Sequence, residues 1–428
     1  MGRRQWASAL LLGIALLAPA ACTSSTAPSG PPASPSPASP SPSGTATAPA
    51  QPASGATASP SSMPGPVPTP DPLEGWTLEQ QVGQLFMVGV DTHAQQASAW
   101  AAVRERHVGN VFLAGRSQAD TQAVLNLVES FTDLVGPGTT HGAPMLVATD
   151  QEGGAVQVLQ GPGFSAIPSA LDQSTWEAGA LRDAAAGWGS ELAAAGLTVD
   201  LAPVMDLVDG DPAGNPPIGA WDRQYGSTPE QVAAHANAFS EGLRSAGVAV
   251  AIKHFPGLGR VGANTDTAAG VADAVTTRDD PSVGVFAAGI RGGAEMVMVS
   301  SAIYQRIDPD VPAVFSPVVV DGMLRGDLGF DGVILTDDLS AAAQVQAWSP
   351  GERAVRAIDA GCDLVLASAD PDVAAQMVDA VVARARQDAD FAGRVHDAAA
   401  RVLALKSSLP PGPGGAGDPA RGARASHR

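Results

Sequence analysis

The sequence is poor in cysteine, in lysine and in positive charge. Cys22 and Cys362 are its only cysteines, which excludes the multi-bridge disulfide framework of small secreted proteins. Lys253 and Lys406 are its only lysines, and the formal net charge is −19. So negative a chain is not suited to bind nucleic acid, or an anionic membrane surface, through charge. We therefore expect no nucleic-acid partner.

Several catalytic motifs are also missing. The sequence contains no Gly-x-Ser-x-Gly, no His-Glu-x-x-His and no closely spaced cysteine pair, which argues against serine-hydrolase, zinc-protease and thiol chemistry. Residues 257–262 match Gly-x-Gly-x-x-Gly, but small polar residues follow them at 263–267 instead of an apolar helix. A dinucleotide site needs that helix, so we expect no nucleotide, and nothing in the sequence calls for a metal or an organic cofactor.

The N-terminus has the pattern of an export signal. Arg3 and Arg4 precede an apolar run at 9–18, which is far shorter than the roughly 20 residues of a membrane-spanning helix. Cys22 follows two alanines in a segment that resembles a bacterial lipobox, in which the cysteine is lipidated. Cleavage after the small residues 18–20 is the alternative. The prediction is a signal peptide at 1–21 and an exported protein, either anchored by lipid to the outer face of the cell membrane or secreted.

The composition changes twice along the chain. Residues 22–72 consist almost wholly of Pro, Ser, Ala, Thr and Gly, which cannot bury enough apolar surface to offset chain entropy. We expect a disordered tether there, one catalytic domain at 73–409 and a disordered tail at 410–428.

Within 73–409, short apolar runs alternate with segments of helical period, which is typical of parallel strands joined by helices. Helix starts are marked at Thr228, Asp280 and Ser349, each followed by proline. The eight apolar runs are residues 85–90, 110–113, 145–149, 198–204, 248–253, 296–300, 332–336 and 363–366. Eight strand-helix units predict an α/β fold, a (β/α)8 barrel of the TIM type. A doubly wound open sheet is the alternative.

Polar and charged residues follow four of the predicted strands. Asp150 follows the third, Asp206 the fourth, Lys253 and His254 the fifth, and Asp337 the seventh. In a barrel these strand ends meet at one rim, where active sites lie.

Carboxylates beside hydrogen-bond donors are suited to cleaving a glycosidic bond, since one carboxylate can attack while a second group transfers the proton. Arg223 could supply further donors to sugar hydroxyls. Trp221 and Tyr225 could offer an aromatic face.

Five separated segments of the chain resemble glycoside hydrolase family 3, in particular its bacterial β-N-acetylglucosaminidase branch. The resemblance covers about 73–370 and implies a (β/α)8 barrel that releases terminal N-acetylglucosamine, with cell-wall (peptidoglycan) fragments as the expected source. The segments are 150–154 (Asp-Gln-Glu-Gly-Gly), 202–206 (Ala-Pro-Val-Met-Asp), 222–223 (Asp-Arg), 253–257 (Lys-His-Phe-Pro-Gly) and 329–339 (Gly-Phe-Asp-Gly-Val-Ile-Leu-Thr-Asp-Asp-Leu).

The resemblance also implies roles for single residues. Asp337 would be the nucleophile of a retaining reaction through a covalent glycosyl-enzyme, and Asp338 its structural neighbour. Asp150, Arg223, Lys253 and His254 would bind the terminal N-acetylglucosamine.

The chain departs from the family pattern at two places. Ala155 stands where arginine is usual, so one polar contact is missing or comes from elsewhere. Residues 264–266 read Asn-Thr-Asp where the branch has Asp-Ser-His, whose histidine is the acid/base. We predict that Asp266 takes this role, with His93 as the rival, and we interpret the glycine run 257–262 as a hinge that carries the acid/base toward Asp337.

Two other functions stay open at this point. A β-glucosidase or another exo-glycosidase could use the same scaffold. A non-catalytic sugar-binding lipoprotein could have kept the pocket and lost the acid/base.

Overall fold

The computed structural model describes residues 71–93 and 97–410. The predicted signal peptide at 1–21, the lipidation site Cys22, nearly all of the tether and nearly all of the C-terminal tail lie outside the described residues.

Eight parallel strands form a closed barrel in sequential order. Each strand pairs with the next along the chain, and the first also pairs with the last, through Phe86 opposite Val365. The strands are β1 Phe86–Asp91, β2 Asn110–Ala114, β3 Leu146–Thr149, β4 Val199–Asp200, β5 Ala249–Phe255, β6 Met296–Val299, β7 Val333–Asp338 and β8 Leu364–Ala367. The barrel prediction is confirmed, and the open sheet is excluded because the barrel closes.

Helices surround the barrel on its outer side. The predicted starts are confirmed: Thr228, Asp280 and Ser349 each accept a backbone N–H with the side chain and precede a proline in the first turn. The helices are α1 Leu78–Gln84, α2 Ala97–Arg106, α3 Thr121–Thr132, α4 Ala170–Gln173, α5 Ala178–Ala194, α6 Pro229–Ser245, α7 Pro281–Arg291, α8 Pro350–Asp359, α9 Ala374–Gln387 and α10 Ala389–Ser408.

Between β6 and β7 the crossover is a π-helical segment, Val318–Asp327. Short 3₁₀ turns include Gly219–Trp221 and Ala343–Val345. Two pairs of very short strands lie outside the barrel. One joins Gln151–Gly153 to Val156–Gln157, and the other joins Ala272–Asp273 to Ile303–Tyr304.

The strands separate two apolar clusters. The larger cluster lies between strands and helices. The smaller one fills the barrel with inward side chains such as Met87, Leu146 and Met296, and Val402 and Leu405 of α10 pack against it. Because side chains alternate along a strand, both faces of each strand are buried. The final helix therefore closes the amino end of the barrel, and the opposite end is left for the site.

Some strand bounds differ from the predicted ones. The fourth strand stops at Asp200 and resumes only as a single bridge between Val204 and Lys253, because Pro203 has no N–H to donate to a ladder. The fifth extends to Phe255 and the seventh to Asp338. Lys253, His254 and Asp337 thus project from ordered strand ends, and not from the loops that follow.

None of the helices within 71–93 and 97–410 is both long and apolar enough to cross a membrane.

Candidate active site

A cavity of about 280 Å³ opens at the carboxyl end of the barrel. Its wall contains all six residues predicted for the catalytic and sugar-binding site, which come from three different strand ends and two loops. They are Asp150, Arg223, Lys253, His254, Asp266 and Asp337. Residues separated by up to 187 positions in sequence are thus gathered in one place by barrel closure.

A buried ion-pair network forms one side of the cavity. The Lys253 Nζ lies 2.6 Å from Asp150 Oδ1 and 2.6 Å from Glu152 Oε1. The Arg223 guanidinium donates to both oxygens of Glu152, at 2.8 and 2.7 Å. Glu152 therefore holds both cations, while Lys253 keeps one of its three N–H donors for a ligand.

The electrostatics of this network keep Glu152 ionised. Burial alone would raise the pKa of Glu152, but the charges of Arg223 and Lys253 lower it to about 2. Asp200 lies beneath the network on β4, where burial raises its pKa to about 8 and the carboxylates of Asp150 and Glu152 oppose its ionisation. Asp200 is therefore neutral at pH 7, and its Oδ1 accepts the backbone N–H of Gln151 at 2.9 Å.

His254 is oriented by a buried carboxylate. Its Nδ1 lies 2.7 Å from Asp206 Oδ2, and its own backbone N–H and that of Leu258 donate to Asp206 Oδ1 at 3.1 and 2.7 Å. These bonds fix the imidazole, so its other ring nitrogen is the one available to the cavity.

Asp337 lies at a bulge. The register between β7 and β8 advances by one extra residue between Leu335 and Asp338, which turns a side chain away from the regular alternation. Burial raises the pKa of Asp337 above its ordinary value, while His254 and the backbone N–H of Asp338 oppose that shift.

The neighbouring Asp338 has structural bonds instead. Its Oδ2 accepts the N–H of Ala341 at 2.8 Å, and its Oδ1 accepts the N–H and hydroxyl of Ser368 at 2.8 and 3.0 Å.

Asp266 lies on the opposite lip of the cavity, in the loop after β5. Partial burial there, together with the nearby charge of Asp337, raises the pKa of Asp266 to about 6. A carboxyl group with such a pKa is protonated in part near neutral pH and can both give and take a proton. The structure therefore places Asp266 on the wall of the cavity that Asp337 also lines.

Three of the sequence-based interpretations are wrong. His93 contacts the backbone oxygen of Arg116 and does not line the cavity. Tyr225 is 1 % exposed and donates to Gln173, so it offers no aromatic face. The hinge interpretation fails at the centre of the glycine run, since a Cβ at Gly259 would lie 1.8 Å from the carbonyl oxygen of Leu207.

Two functional side chains were missed by sequence reasoning alone, Glu152 as the partner of two cations and Asp206 as the support of His254. Both stand within three residues of the end of a predicted strand, which was the available signal. Their partners are 48 to 101 residues away along the chain, so the pairing itself had no local signature.

An outer groove of about 540 Å³ adjoins the cavity and shares Pro217, Arg223, Asn264 and Asp266 with it. Trp221, with 58 % of its surface exposed, and Arg116 line this groove. Arg116 donates to the carbonyl oxygens of Ala155 and Gln157, which places a guanidinium beside the alanine that replaces the expected arginine. Among residues 71–93 and 97–410, no carboxylate forms an ion pair with Arg116.

The described part of the chain holds no cluster of three or more His, Cys, Asp or Glu side chains arranged to hold a metal ion.

Comparison with known proteins gives consistent matches. Residues 77–405 match the glycosyl hydrolase family 3 N terminal domain. A β-hexosaminidase from Stenotrophomonas maltophilia is 37% identical over 320 residues, covering 73% of this chain and 91% of that protein. One from Methylococcus capsulatus is 35% identical over 285 residues, covering 64% of this chain and 79% of that protein.

A solved structure agrees with these sequence matches. The crystal structure of a β-N-acetylhexosaminidase from Beutenbergia cavernae is 59% identical, with a TM-score of 0.77, and the match covers 77% of this chain and 98% of that one. The chain therefore belongs to glycosyl hydrolase family 3 and is a glycoside hydrolase.

Proposed function

We propose that the protein is an exo-acting, retaining β-N-acetylhexosaminidase that releases terminal N-acetylglucosamine through a covalent glycosyl-aspartate. The observation that carries this proposal is the pair of carboxyl groups, Asp337 and Asp266, on the wall of one cavity lined by fixed hydrogen-bond donors. The relatives named β-hexosaminidase and β-N-acetylhexosaminidase support the choice of sugar.

In the first step a carboxylate oxygen of Asp337 attacks the anomeric carbon, and the bond from that carbon to the leaving oxygen breaks. Asp266, in its protonated form, gives its proton to the leaving oxygen. Lys253, Arg223 and Asp150 hold the sugar hydroxyls, so the anomeric carbon stays in line with Asp337.

In the second step Asp266, now ionised, takes a proton from water. The water oxygen bonds to the anomeric carbon and frees Asp337 as a carboxylate, so the product keeps the configuration of the substrate. A pKa of about 6 suits Asp266 for both directions of transfer, because neither form is strongly disfavoured near neutral pH.

The leaving group is expected to lie in the outer groove, since that groove begins at Asp266. Trp221 presents an exposed ring suited to a sugar face, and the Arg116 guanidinium is suited to a carboxylate. In a protein of net charge −19, a cation in this position favours an acidic leaving-group sugar. Cell-wall fragments, whose disaccharides carry a carboxylate on the second sugar, have this chemistry.

The site of action follows from the N-terminal segments. We place the enzyme outside the cytoplasm, held by a lipid on Cys22 and a tether ahead of the barrel, on the support of the lipobox-like sequence and the composition of 22–72. Replacing Cys22 with alanine should move the protein from the membrane fraction to the soluble fraction. Unchanged membrane association would reject the lipid anchor.

The test of the reaction is turnover of an aryl N-acetyl-β-glucosaminide against the matching β-glucoside. Asp337→Ala should lose at least about a thousandfold in kcat. Asp266→Ala should lose activity on poor leaving groups, and azide should restore its turnover by attacking the glycosyl-enzyme. Asp331→Ala is the matched control, because Asp331 is exposed and lies before the other end of the same strand.

Three outcomes would contradict parts of the proposal. Full activity of Asp337→Ala would reject the nucleophile, and full activity of Asp266→Ala without any azide effect would reject the acid/base. Faster hydrolysis of the glucoside would favour a β-glucosidase. Tight saccharide binding without turnover in the wild-type protein would favour a sugar-binding lipoprotein.

A further inference from the structure

Gln344 connects the loop that carries Asp266 to the loop that follows Asp337. Gln344 lies in the 3₁₀ turn Ala343–Val345, five residues beyond the end of β7, and it is 5 % exposed. It belongs to no cluster of ionisable groups. Its contacts nevertheless span the two sides of the cavity.

The main chain makes the first connection. The N–H of Gln344 donates to the carbonyl oxygen of Thr265 at 3.0 Å, and the N–H of Ala343 donates to the carbonyl oxygen of Asp266 at 3.1 Å. These bonds hold the backbone on both sides of the Asp266 Cα, because the accepting carbonyl oxygens belong to Asp266 and to the residue before it.

The side chain of Gln344 makes the second connection. Its Nε2 donates to the carbonyl oxygen of Val271 at 3.0 Å, and its Oε1 accepts the N–H of Val271 at 2.9 Å. The amide therefore pairs with Val271 as a neighbouring strand would. Since Val271 is buried, loss of the amide would leave the N–H of Val271 without a partner, while its carbonyl oxygen would keep only the N–H of Ile303.

The loop is also stiffened from within. Asn264 Oδ1 accepts the N–H of Asp266 at 2.8 Å, and the Asn264 carbonyl accepts the N–H of Ala268 at 2.9 Å. The segment from Thr265 to Val271 is thus a short arch, and both of its ends are hydrogen-bonded to Gln344. Such an arch cannot swing as a hinged loop does without breaking these bonds.

We propose that Gln344 is a positioning residue that locks the Asp266 arch over Asp337, so that proton transfer to the leaving group depends on it. The proposal rests on the acid/base role of Asp266 stated above. Gln344 does not touch the substrate and acts only through the geometry of the arch. A displacement of about 1 Å at a catalytic group costs on the order of a hundredfold in rate.

Leaving-group dependence separates this role from a structural one. A 2,4-dinitrophenyl N-acetyl-β-glucosaminide needs no proton to depart, whereas the phenyl glycoside does. In both cases kcat/KM reports the first step. In Gln344→Leu, which removes the amide and keeps the bulk, kcat/KM should fall about 10- to 100-fold for the phenyl glycoside and less than about threefold for the dinitrophenyl one.

Gln344→Glu tests the same idea in a protein that keeps the shape of the side chain. A protonated glutamic acid can donate to the Val271 carbonyl and accept its N–H as the amide does, while a carboxylate cannot donate. The ratio of variant to wild-type kcat/KM on the phenyl glycoside should therefore rise as the pH is lowered. A purely structural defect would give a constant ratio.

Gln346→Leu is the matched control, since the Gln346 side chain is exposed and bonds only to Ser340 and Ala342 of its own loop. It should leave both substrates unchanged. Equal losses on both aryl glycosides in Gln344→Leu, or no loss on either, would overturn the positioning role of Gln344.

Asp266→Ala, measured in parallel, distinguishes the two levels of the argument. If kcat/KM depends on the leaving group in Asp266→Ala but not in Gln344→Leu, the positioning role of Gln344 is rejected and the acid/base role of Asp266 stands. The absence of an effect in Asp266→Ala rejects both.

Discussion

The barrel buries one lysine toward each end, and the two lie in opposite electrostatic surroundings. At the carboxyl end Lys253 contacts Asp150 and Glu152, and these charges raise its pKa in spite of burial. At the amino end Lys406 of α10 donates only to the neutral oxygens of Gln84 and Gly109, at 2.6 and 3.0 Å. Burial lowers the pKa of Lys406 to about 7.

The difference in surroundings indicates a different role for each lysine. A buried ammonium between two carboxylates is a fixed cation for binding, and the cost of its desolvation is offset by its partners. A buried lysine with neutral partners serves better as a neutral amine that closes a gap between a helix and the strand ends. Lys253 thus lies among charged groups, whereas Lys406 lies among neutral ones.

Replacing each lysine with methionine tests the comparison, and the larger effect is expected at Lys253. Lys253→Met removes the partner of Asp150 and leaves Glu152 with Arg223 alone. We expect a loss of about 3–5 kcal/mol in the free energy of unfolding and at least about a hundredfold in kcat/KM on an aryl N-acetylglucosaminide. Denaturant unfolding and the aryl assay measure the two effects. Stability equal to wild type would contradict the network as described.

Asp200→Asn tests the neutral acid beneath that network. The pKa of Asp200 is about 8 in the folded protein against 3.8 for a free group, so between these pH values the unfolded chain releases a proton that the folded protein keeps. The stability of the wild type should therefore fall with rising pH, by up to about 1.4 kcal/mol per pH unit from this group. The variant should lose that part of the slope, as denaturant melts from pH 4 to 8 would show. If the free energy of unfolding changes with pH in the same way for both proteins, Asp200 is ionised in the folded state and the interpretation is wrong.

Lys406→Met tests the amino end, where the sign is reversed. The folded pKa of about 7 lies below the 10.5 of a free lysine, so between these values the unfolded chain holds a proton that the folded protein does not. Stability of the wild type should rise with pH across that window, again by up to about 1.4 kcal/mol per unit. The variant should lack this rise and keep its kcat. A fall in kcat would show that the closure of the amino end reaches the active site.

Arg116→Gln gives the smallest expected effect, because Arg116 is an exposed cation and not a buried one. We expect KM to rise severalfold for a disaccharide with a carboxylate on its leaving-group sugar, and less for the same disaccharide with that group amidated. Steady-state assays on the two substrates make the comparison. Equal changes in KM would remove the argument for an acidic leaving group.

Local sequence pattern predicted much of this site. Asp337 and the pair Lys253 and His254 were found because each follows a run of buried strand residues, and such polar residues are conspicuous within a few positions. The export signal, the tether and the lipidation of Cys22 remain predictions, because they rest on residues outside those that the structure describes.

The parts that were missed involve partners far apart in the chain. The sequence placed Trp221 and Tyr225 together as candidates for an aromatic face, yet a left-handed turn at Asp222 separates an exposed ring from a buried one. The sequence favoured Asp266 over His93 as the acid/base, and the fold places Asp266, but not His93, on the wall of the cavity with Asp337. The glycine run was interpreted as a hinge, whereas at Gly259 the carbonyl oxygen of Leu207 leaves no room for a side chain.

By itself the sequence determined the barrel, the positions of its strand ends and the kinds of chemical group at the rim, because alternation of burial and helix caps are local properties of the chain. Only the tertiary structure decided which charges pair, which candidate acid/base lines the cavity and which lysine has a lowered pKa. Those outcomes depend on distances between segments and on burial at each end of the barrel, and both arise only when the eight strands close.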